Sequence, residues 1–142
     1  MAPGAGLDAP EVQRFLATKH VVVLATVQPD GSPLAMPMWF LHDATVVTMI
    51  SVDDLKKVRN LRRDPRVCVV AEAANATGGE GRGIVVAGRV EFLADGAEQR
   101  ALVDRLHAKY PELQQFWRGR AMPANRVMFR IVPARVHSWG LA

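Results

Sequence analysis

The chain alternates between short apolar, β-branched runs and turn-forming residues, a pattern typical of antiparallel sheet. Strands are predicted at residues 20–27, 34–41, 45–51, 67–71, 83–93 and 126–139. Pro37 interrupts the second of them, because proline cannot donate a hydrogen bond to a strand ladder. Since consecutive strands are joined without long crossovers, we expect a mainly β fold with short helices, in which six antiparallel strands close into a barrel.

Three segments change to the helical spacing of apolar residues. Helices are predicted at residues 11–18, 53–63 and 98–110, and residues 111–117 extend or restart the third. In the second helix Leu55, Val58 and Leu61 are expected to face a core. Residues 1–10 are expected to form a disordered tail and residues 74–82 a loop. The remainder, 11–142, is expected to be a single domain.

Length and composition exclude several classes of protein. With 142 residues, 49% apolar and 23% charged, the chain fits one soluble globular domain. It has no apolar run near the roughly 18 residues that span a bilayer, and its N-terminus lacks the pattern of a signal peptide. Its single cysteine, Cys68, cannot form an internal disulfide. We therefore expect a cytoplasmic protein with no membrane partner.

The sequence offers no pattern of metal ligands and no activated nucleophile. Its four histidines are scattered without ligand spacing, and no serine lies in a G-x-S-x-G elbow. We therefore expect no metal and assign no catalytic residue.

The net charge of +4 is concentrated in one short segment, which contains Lys56, Lys57, Arg59, Arg62, Arg63 and Arg66 beside a single Asp64. Such a cluster is either a solvated helix face or a site for an anion, whether nucleic acid or a phosphorylated small molecule. Lys56 and Lys57 lie at the start of the predicted helix, where free backbone N–H groups and the helix dipole already attract anions. The cluster has no aromatic residue of the kind that stacks on bases. We predict a phosphate site and no nucleic-acid partner.

Two predicted strands combine features that suit a planar ligand. The third strand fits an ordinary buried strand equally well, and a cluster such as that in the second strand is more often part of a core. In one strand two hydroxyls bracket two apolar side chains, and in the other a proline interrupts a polarizable apolar run. The residues concerned are Thr48, Met49, Ile50 and Ser51 in the third strand, and Met36, Pro37, Met38 and Trp39 in the second.

The chain also resembles a known family, most specifically over residues 15–71. The segments that carry the resemblance are FLATKHVVVLATVQPDGSPLAMPMWFLHDATVVTMIS and KVRNLRRDPRV, with RIVPARVHSWG as a looser match to the closing strand. They resemble the pyridoxamine 5'-phosphate oxidase-like split β-barrels, and among these the chain is most similar to the deazaflavin (coenzyme F-420)-dependent branch.

The resemblance implies an FMN-binding split-barrel fold and a homodimer with the cofactor at the subunit interface. Lys57 matches the family's phosphate-binding lysine, with Lys56 and Arg59 as helpers. Residues 48–51 match the strand that lines the cofactor, and residues 36–39 the strand beside its ring. Trp139 corresponds to a residue that closes the site from the partner subunit.

The implied function is that of an oxidoreductase in which coenzyme F-420 transfers hydride to a planar or conjugated small-molecule substrate. A basic groove of Arg59, Arg62 and Arg63 would suit the long anionic tail of this cofactor. The alternative is an FMN-binding oxidoreductase or flavin carrier on the same fold. A non-enzymatic barrel that binds haem or nucleic acid is a third interpretation.

Overall fold

The structure, a computed structural model, describes residues 6–74 and 81–141. This part of the chain contains four helices and seven strands. They are α1 (Pro10–Ala17), β1 (Val22–Val27), β2 (Pro33–Met38), β3 (Leu41–His42), β4 (Val47–Val52), α2 (Lys56–Arg63), β5 (Arg66–Ala73), β6 (Arg82–Phe92), α3 (Ala97–Lys109), α4 (Leu113–Phe116) and β7 (Arg126–Trp139). Most of the loop predicted at 74–82 lies outside the described residues.

The strands form one antiparallel sheet in the order β2-β1-β5-β6-β7-β4-β3. Its two edge strands, β2 and β3, are separated in the chain only by Trp39 and Phe40. Because three Cα–Cα steps span at most about 11 Å, the sheet must curl until its two edges approach each other. The predicted mainly β fold with short helices is therefore confirmed.

The sheet has seven strands rather than the predicted six, because the segment predicted as one strand at 34–41 is divided. Its first part, β2, is an edge strand, which is where a proline such as Pro37 is tolerated. Its second part, β3, pairs with β4 instead of β1. The division places Trp39 and Phe40 at the junction between the two edges of the sheet.

The interior of the curled sheet is closed at one side by α1. Val12, Phe15 and Leu16 on this helix are buried and pack with strand residues such as Leu24 and Met49. The tail predicted at 1–10 differs from the structure at its C-terminal end, because Leu7 is buried in the same core and Pro10 begins α1. Residues 1–5 lie outside the described part of the chain.

A second apolar cluster joins α3 and α4 to the sheet. It contains Leu41, Val103, Leu106, Tyr110, Leu113, Trp117 and Met128. The Tyr110 hydroxyl accepts a hydrogen bond from the Phe40 backbone N–H at 2.9 Å and lies 2.8 Å from the His20 carbonyl oxygen. Its ring stacks on Trp39, with ring centroids 4.4 Å apart. The end of α3 therefore fixes the junction between β2 and β3.

Helix α2 packs on β1 through Val58 and Leu61, which are buried as predicted. Leu55, predicted to face the core, instead precedes the helix and is 43% exposed. The third inward-facing residue is Asn60, whose side-chain amide donates to the buried Thr26 hydroxyl at 3.1 Å. Across the described ranges, no helix is both long and apolar enough to cross a bilayer.

Candidate functional site

An open cleft of about 330 Å³ lies where β2, β4, α2, α4 and β7 meet. We refer to it below as the cleft. Its lining consists of Pro37, Met38, Trp39, Ile50, Ser51, Val52, Leu55, Lys57, Leu113, Phe116, Trp117 and Arg126.

Apolar and aromatic side chains form most of the cleft wall. Phe116 on α4 is 67% exposed and Leu55 is 43% exposed, so both present uncovered apolar surface. Trp39 is held in a fixed orientation by its stacking on Tyr110. Exposed apolar surface in a concave site with a rigid indole suits a planar organic ligand.

Ser51, near the end of β4, supplies a buried polar group without a partner. The residue is 6% exposed, and its Oγ makes no hydrogen bond with any described residue. A buried hydroxyl left unpaired costs about 1–3 kcal/mol, and such groups are uncommon in native structures. The Ser51 hydroxyl is therefore available to a ligand in the cleft.

Lys57, in the first turn of α2, supplies a positive charge. Burial lowers the pKa of its ammonium group, because part of its hydration is lost. None of the ion pairs among the described residues includes Lys57. A half-buried cation that forms no ion pair with a described carboxylate favours the binding of an anion.

Arg126 places a second cation in the same cleft. It begins β7 and lies opposite Val52 in the sheet. Its guanidinium donates to the Asn125 side-chain oxygen at 2.6 Å, a neutral partner that leaves its charge uncompensated. The cleft therefore has two cationic residues, Lys57 and Arg126.

The other arginines of the basic segment are engaged within the protein. Arg59 pairs with Asp54 at 3.4 Å and Arg62 with Asp53 at 2.7 Å. Arg63 donates to the Val27 carbonyl oxygen. The basic groove expected from these three arginines is consequently reduced, because acidic residues just before α2 pair with two of them.

Half of the predicted site residues line the cleft and half do not. Those at the cleft are Pro37, Met38, Trp39, Ile50, Ser51 and Lys57. Thr48 is 3% exposed and Met49 is fully buried in the core, so their side chains pack inside the protein. Met36 is exposed on β2, and Lys56 and Arg59 are exposed on α2 outside the cleft lining. Successive strand and helix residues point in different directions, which a contiguous prediction does not separate.

Trp139 lies away from the cleft of its own chain. It ends β7, pairs with Gly83 across the sheet and stacks against His137 at 5.9 Å. Its assignment to a partner's site stays a prediction.

The sequence interpretation did not identify Leu55, Leu113, Phe116, Trp117 and Arg126 as site residues. The sequence signal for α4 is the segment with apolar residues that follows Pro111, and such a segment is equally typical of a buried core. Within the described ranges, no group of three or more His, Cys, Asp or Glu side chains could hold a metal ion.

The comparison with family models gives a match over residues 9–140, and the matching family is described as pyridoxamine 5'-phosphate oxidase. The matched range includes every described strand and the whole cleft lining. The chain belongs to the pyridoxamine 5'-phosphate oxidase family. No match is found among curated proteins.

Solved structures show the fold of this family. A FAD-binding protein from Mesorhizobium loti is 26% identical, with coverage of 90% of this chain and 89% of that one and a TM-score of 0.74. A conserved hypothetical protein from Mycobacterium tuberculosis is 26% identical, with coverage of 98% and 89% and a TM-score of 0.76. The heme storage protein HutZ from Vibrio cholerae, at 17% identity, 97% and 98% coverage and a TM-score of 0.76, shows the fold alone. The split-barrel fold is confirmed.

Proposed function

We propose that this protein is an oxidoreductase that binds a phosphate-bearing flavin or deazaflavin in the cleft and transfers hydride to a planar or conjugated small molecule. The observation that carries the proposal is the composition of the cleft. It combines an unpaired buried hydroxyl (Ser51), an unpaired half-buried ammonium (Lys57) and an aromatic wall that includes Trp39.

Each of these residues fits one part of such a cofactor. Lys57 at the start of α2 would hold the phosphate, whose charge replaces the hydration that the ammonium has lost. The Ser51 hydroxyl would hydrogen-bond a polar edge of the ring system. Trp39 and Phe116 would cover ring surface and exclude water.

When bound, a flavin or deazaflavin supplies the hydride chemistry itself, and the protein contributes binding and orientation. This division of roles agrees with a cleft lined by two cations and apolar side chains rather than by a nucleophile with its base.

The identity of the cofactor is proposed as coenzyme F-420, with FMN as the alternative. The sequence resemblance to the deazaflavin-dependent branch supports coenzyme F-420. The ion pairs of Arg59 and Arg62 support FMN, because they leave fewer cations for a long anionic tail. The 26% identity to a FAD-binding protein also supports a flavin.

Haem, the ligand in the name of HutZ, has less support. An axial His, Cys or Tyr normally holds haem iron, and the cleft-lining residues of the described chain include none of these.

We also propose that the protein is a homodimer, because the face of the sheet away from the core is apolar. Val23, Val70 and Val85 lie side by side across three strands, and Ala25, Cys68 and Ala87 form the adjacent row. We call these six residues the outer face. Its side chains alternate with core residues and are exposed or half-buried. A contiguous apolar patch of this kind is typical of an interface.

The test of the cofactor site is the substitution Lys57→Met, with Lys56→Met as the matched control on the adjacent exposed lysine. Loss of a charge-assisted hydrogen bond of about 1.5–3 kcal/mol predicts a roughly tenfold or greater loss of cofactor affinity. Titration of the purified protein with coenzyme F-420 and with FMN, followed by tryptophan fluorescence, measures it. The tighter ligand identifies the cofactor.

The pH dependence of the same titration provides an independent check. Burial lowers the pKa of Lys57 below 10.5, so its ammonium group loses its proton at a lower pH than an exposed lysine does. The affinity of the wild type for the cofactor should therefore begin to fall at that lower pH. Equal affinity of the two lysine variants at neutral pH would contradict the phosphate site.

A further inference from the structure

A second concave site lies where the end of α1, β3 and α3 meet. It has a volume of about 420 Å³ and is lined by Ala17, Leu41, His42, Arg105, Ala108 and Lys109. We call it the basic pocket. It shares no described lining residue with the cleft.

Two cations project into one side of the basic pocket. Arg105 and Lys109 are four residues apart on α3, so one helix turn places them on the same face. Like charges at this spacing repel each other. Neither residue takes part in any ion pair found among the described residues.

Neutral groups of the protein hold these cations in place. The Lys109 ammonium donates to the Phe40 carbonyl oxygen at 2.8 Å and lies 3.6 Å from the centre of the Phe40 ring. The Arg105 guanidinium donates to the His42 carbonyl oxygen at 3.1 Å. A carbonyl oxygen orients a cation but leaves its charge uncompensated, so the pocket keeps a concentrated positive potential.

The acidic residue that follows His42 in the sequence is engaged elsewhere. Asp43 influences Arg105 electrostatically, but its carboxylate accepts hydrogen bonds from the Thr45 backbone N–H and hydroxyl and from the Val46 backbone N–H. His42 adds no negative charge: its Nδ1 lies 2.7 Å from the Gln13 side-chain oxygen, and burial with the two nearby cations lowers its pKa.

The rest of the basic pocket is apolar. Ala17, Leu41 and Ala108 form this part of the lining, from the end of α1, β3 and α3. Its volume is in the range of pockets for small organic ligands. A ligand that fits has an anionic head and a short apolar body.

We propose that the basic pocket is a second binding site, for a small organic anion whose carboxylate or phosphate head lies between Arg105 and Lys109 and whose apolar body contacts Ala17, Leu41 and Ala108. Both head groups offer the negative oxygens that an arginine and a lysine recognise together.

The experiment is isothermal titration calorimetry with benzoate and, separately, phenyl phosphate. The proteins are the wild type, Arg105→Gln, Lys109→Met, the cleft variant Lys57→Met and Arg100→Gln, which removes a cation from the same helix outside the pocket. Far-ultraviolet circular dichroism checks that each variant is folded. We expect binding to the wild type, an affinity at least tenfold weaker in Arg105→Gln and Lys109→Met, and little change in Lys57→Met and Arg100→Gln. The tighter of the two ligands identifies the preferred head group.

A measurement on the unmodified protein complements the variants. The pKa of Lys109, about 8 in the free protein, should rise when a saturating ligand places a negative charge beside it, and NMR of labelled lysine side chains reports this. Absence of binding, or loss of affinity only in Lys57→Met, would overturn the proposal, as would an unchanged Lys109 pKa in the complex.

Discussion

The Lys109 ammonium illustrates how partial burial changes one ionisable group. Burial, and next the charge of Arg105, lower its pKa from 10.5 to about 8. Its aliphatic stem remains useful to the fold, because the side chain lies over the Phe40 ring. The aliphatic part of Lys109 therefore stabilises the fold, whereas its partly buried charge destabilises it.

This gives a prediction for stability against pH. Between about pH 8 and pH 10.5 the unfolded chain binds the Lys109 proton and the folded chain does not, so this residue raises the free energy of unfolding as pH increases. Urea unfolding of the wild type and of Lys109→Met at pH 7.5 and 9.5 measures the contribution of Lys109 to the free energy of unfolding. The wild type should gain stability relative to the variant at the higher pH.

The raised pKa values of Cys68 and Tyr110 act in the opposite direction and cancel in this comparison, because both residues are present in each protein. Lys56→Met, at an exposed position, is the control for removal of a positive charge. The role of burial would be contradicted if the free energy of unfolding of the wild type, relative to that of Lys109→Met, fell between pH 7.5 and 9.5.

Among individual residues of the cleft, the sequence predicted those that are marked by their immediate neighbours in the chain. Lys57 was predicted because two lysines lie at the start of a predicted helix, and Ser51 because two hydroxyls bracket apolar residues in a predicted strand. Arg126 was missed because its place in the cleft depends on the pairing of β7 with β4, across more than 70 intervening residues. Long-range pairing has no local sequence signature.

At the scale of elements, a buried polar contact helps to anchor α2, the helix that carries Lys57. The Asn60 amide donates to the Thr26 hydroxyl of β1, and both residues are 2% exposed. Such a contact fixes the rotation of a short helix, since apolar packing alone tolerates small shifts.

We predict that Asn60→Ala destabilises the protein by about 1–3 kcal/mol, because it leaves the Thr26 hydroxyl buried and unpaired. It should also weaken cofactor binding through the loss of a fixed α2. Chemical denaturation and cofactor titration measure the two effects. The matched variant is Thr26→Val, and the double variant should cost less than the sum of the single changes. Strict additivity would show that the two side chains are not coupled.

The sequence predicted most elements of the fold, because hydrophobic period and turn residues are local properties. It failed where tertiary contacts decide. The strand predicted at 34–41 is divided because Tyr110, directly after α3, holds Phe40 and Trp39 at the junction between two strands. Leu55 has a helical spacing but lies before the first helical residue, so it is exposed to the cleft instead of the core.

At the scale of the whole molecule, the outer face proposed as the dimer interface lies next to the cleft proposed as the cofactor site. Pro37 lines the cleft and pairs with Val23, a residue of the outer face. A second subunit seated on the outer face would therefore lie close to the cleft. Assembly and cofactor binding are expected to depend on each other.

The substitution Val23→Arg tests this dependence. It places a charge in the outer face at a position that is already 36% exposed, so the fold should be retained. Sedimentation velocity at micromolar concentration should show a monomer for this variant and a dimer for the wild type, with weaker cofactor binding by the monomer. Ala94→Arg adds the same charge at an exposed site after β6 and should remain dimeric. A monomeric wild type would contradict the proposal.

The contact between Gly83 and Trp139 has a consequence for evolution. A side chain at position 83 would overlap the Trp139 indole and approach the Ala71 carbonyl oxygen to 2.7 Å. A larger residue could be accepted at position 83 only where position 139 has a smaller one and the strands have separated slightly. Among homologous sequences the two positions should therefore covary, with glycine accompanying tryptophan. Such covariation would reflect a packing constraint between two neighbouring strands.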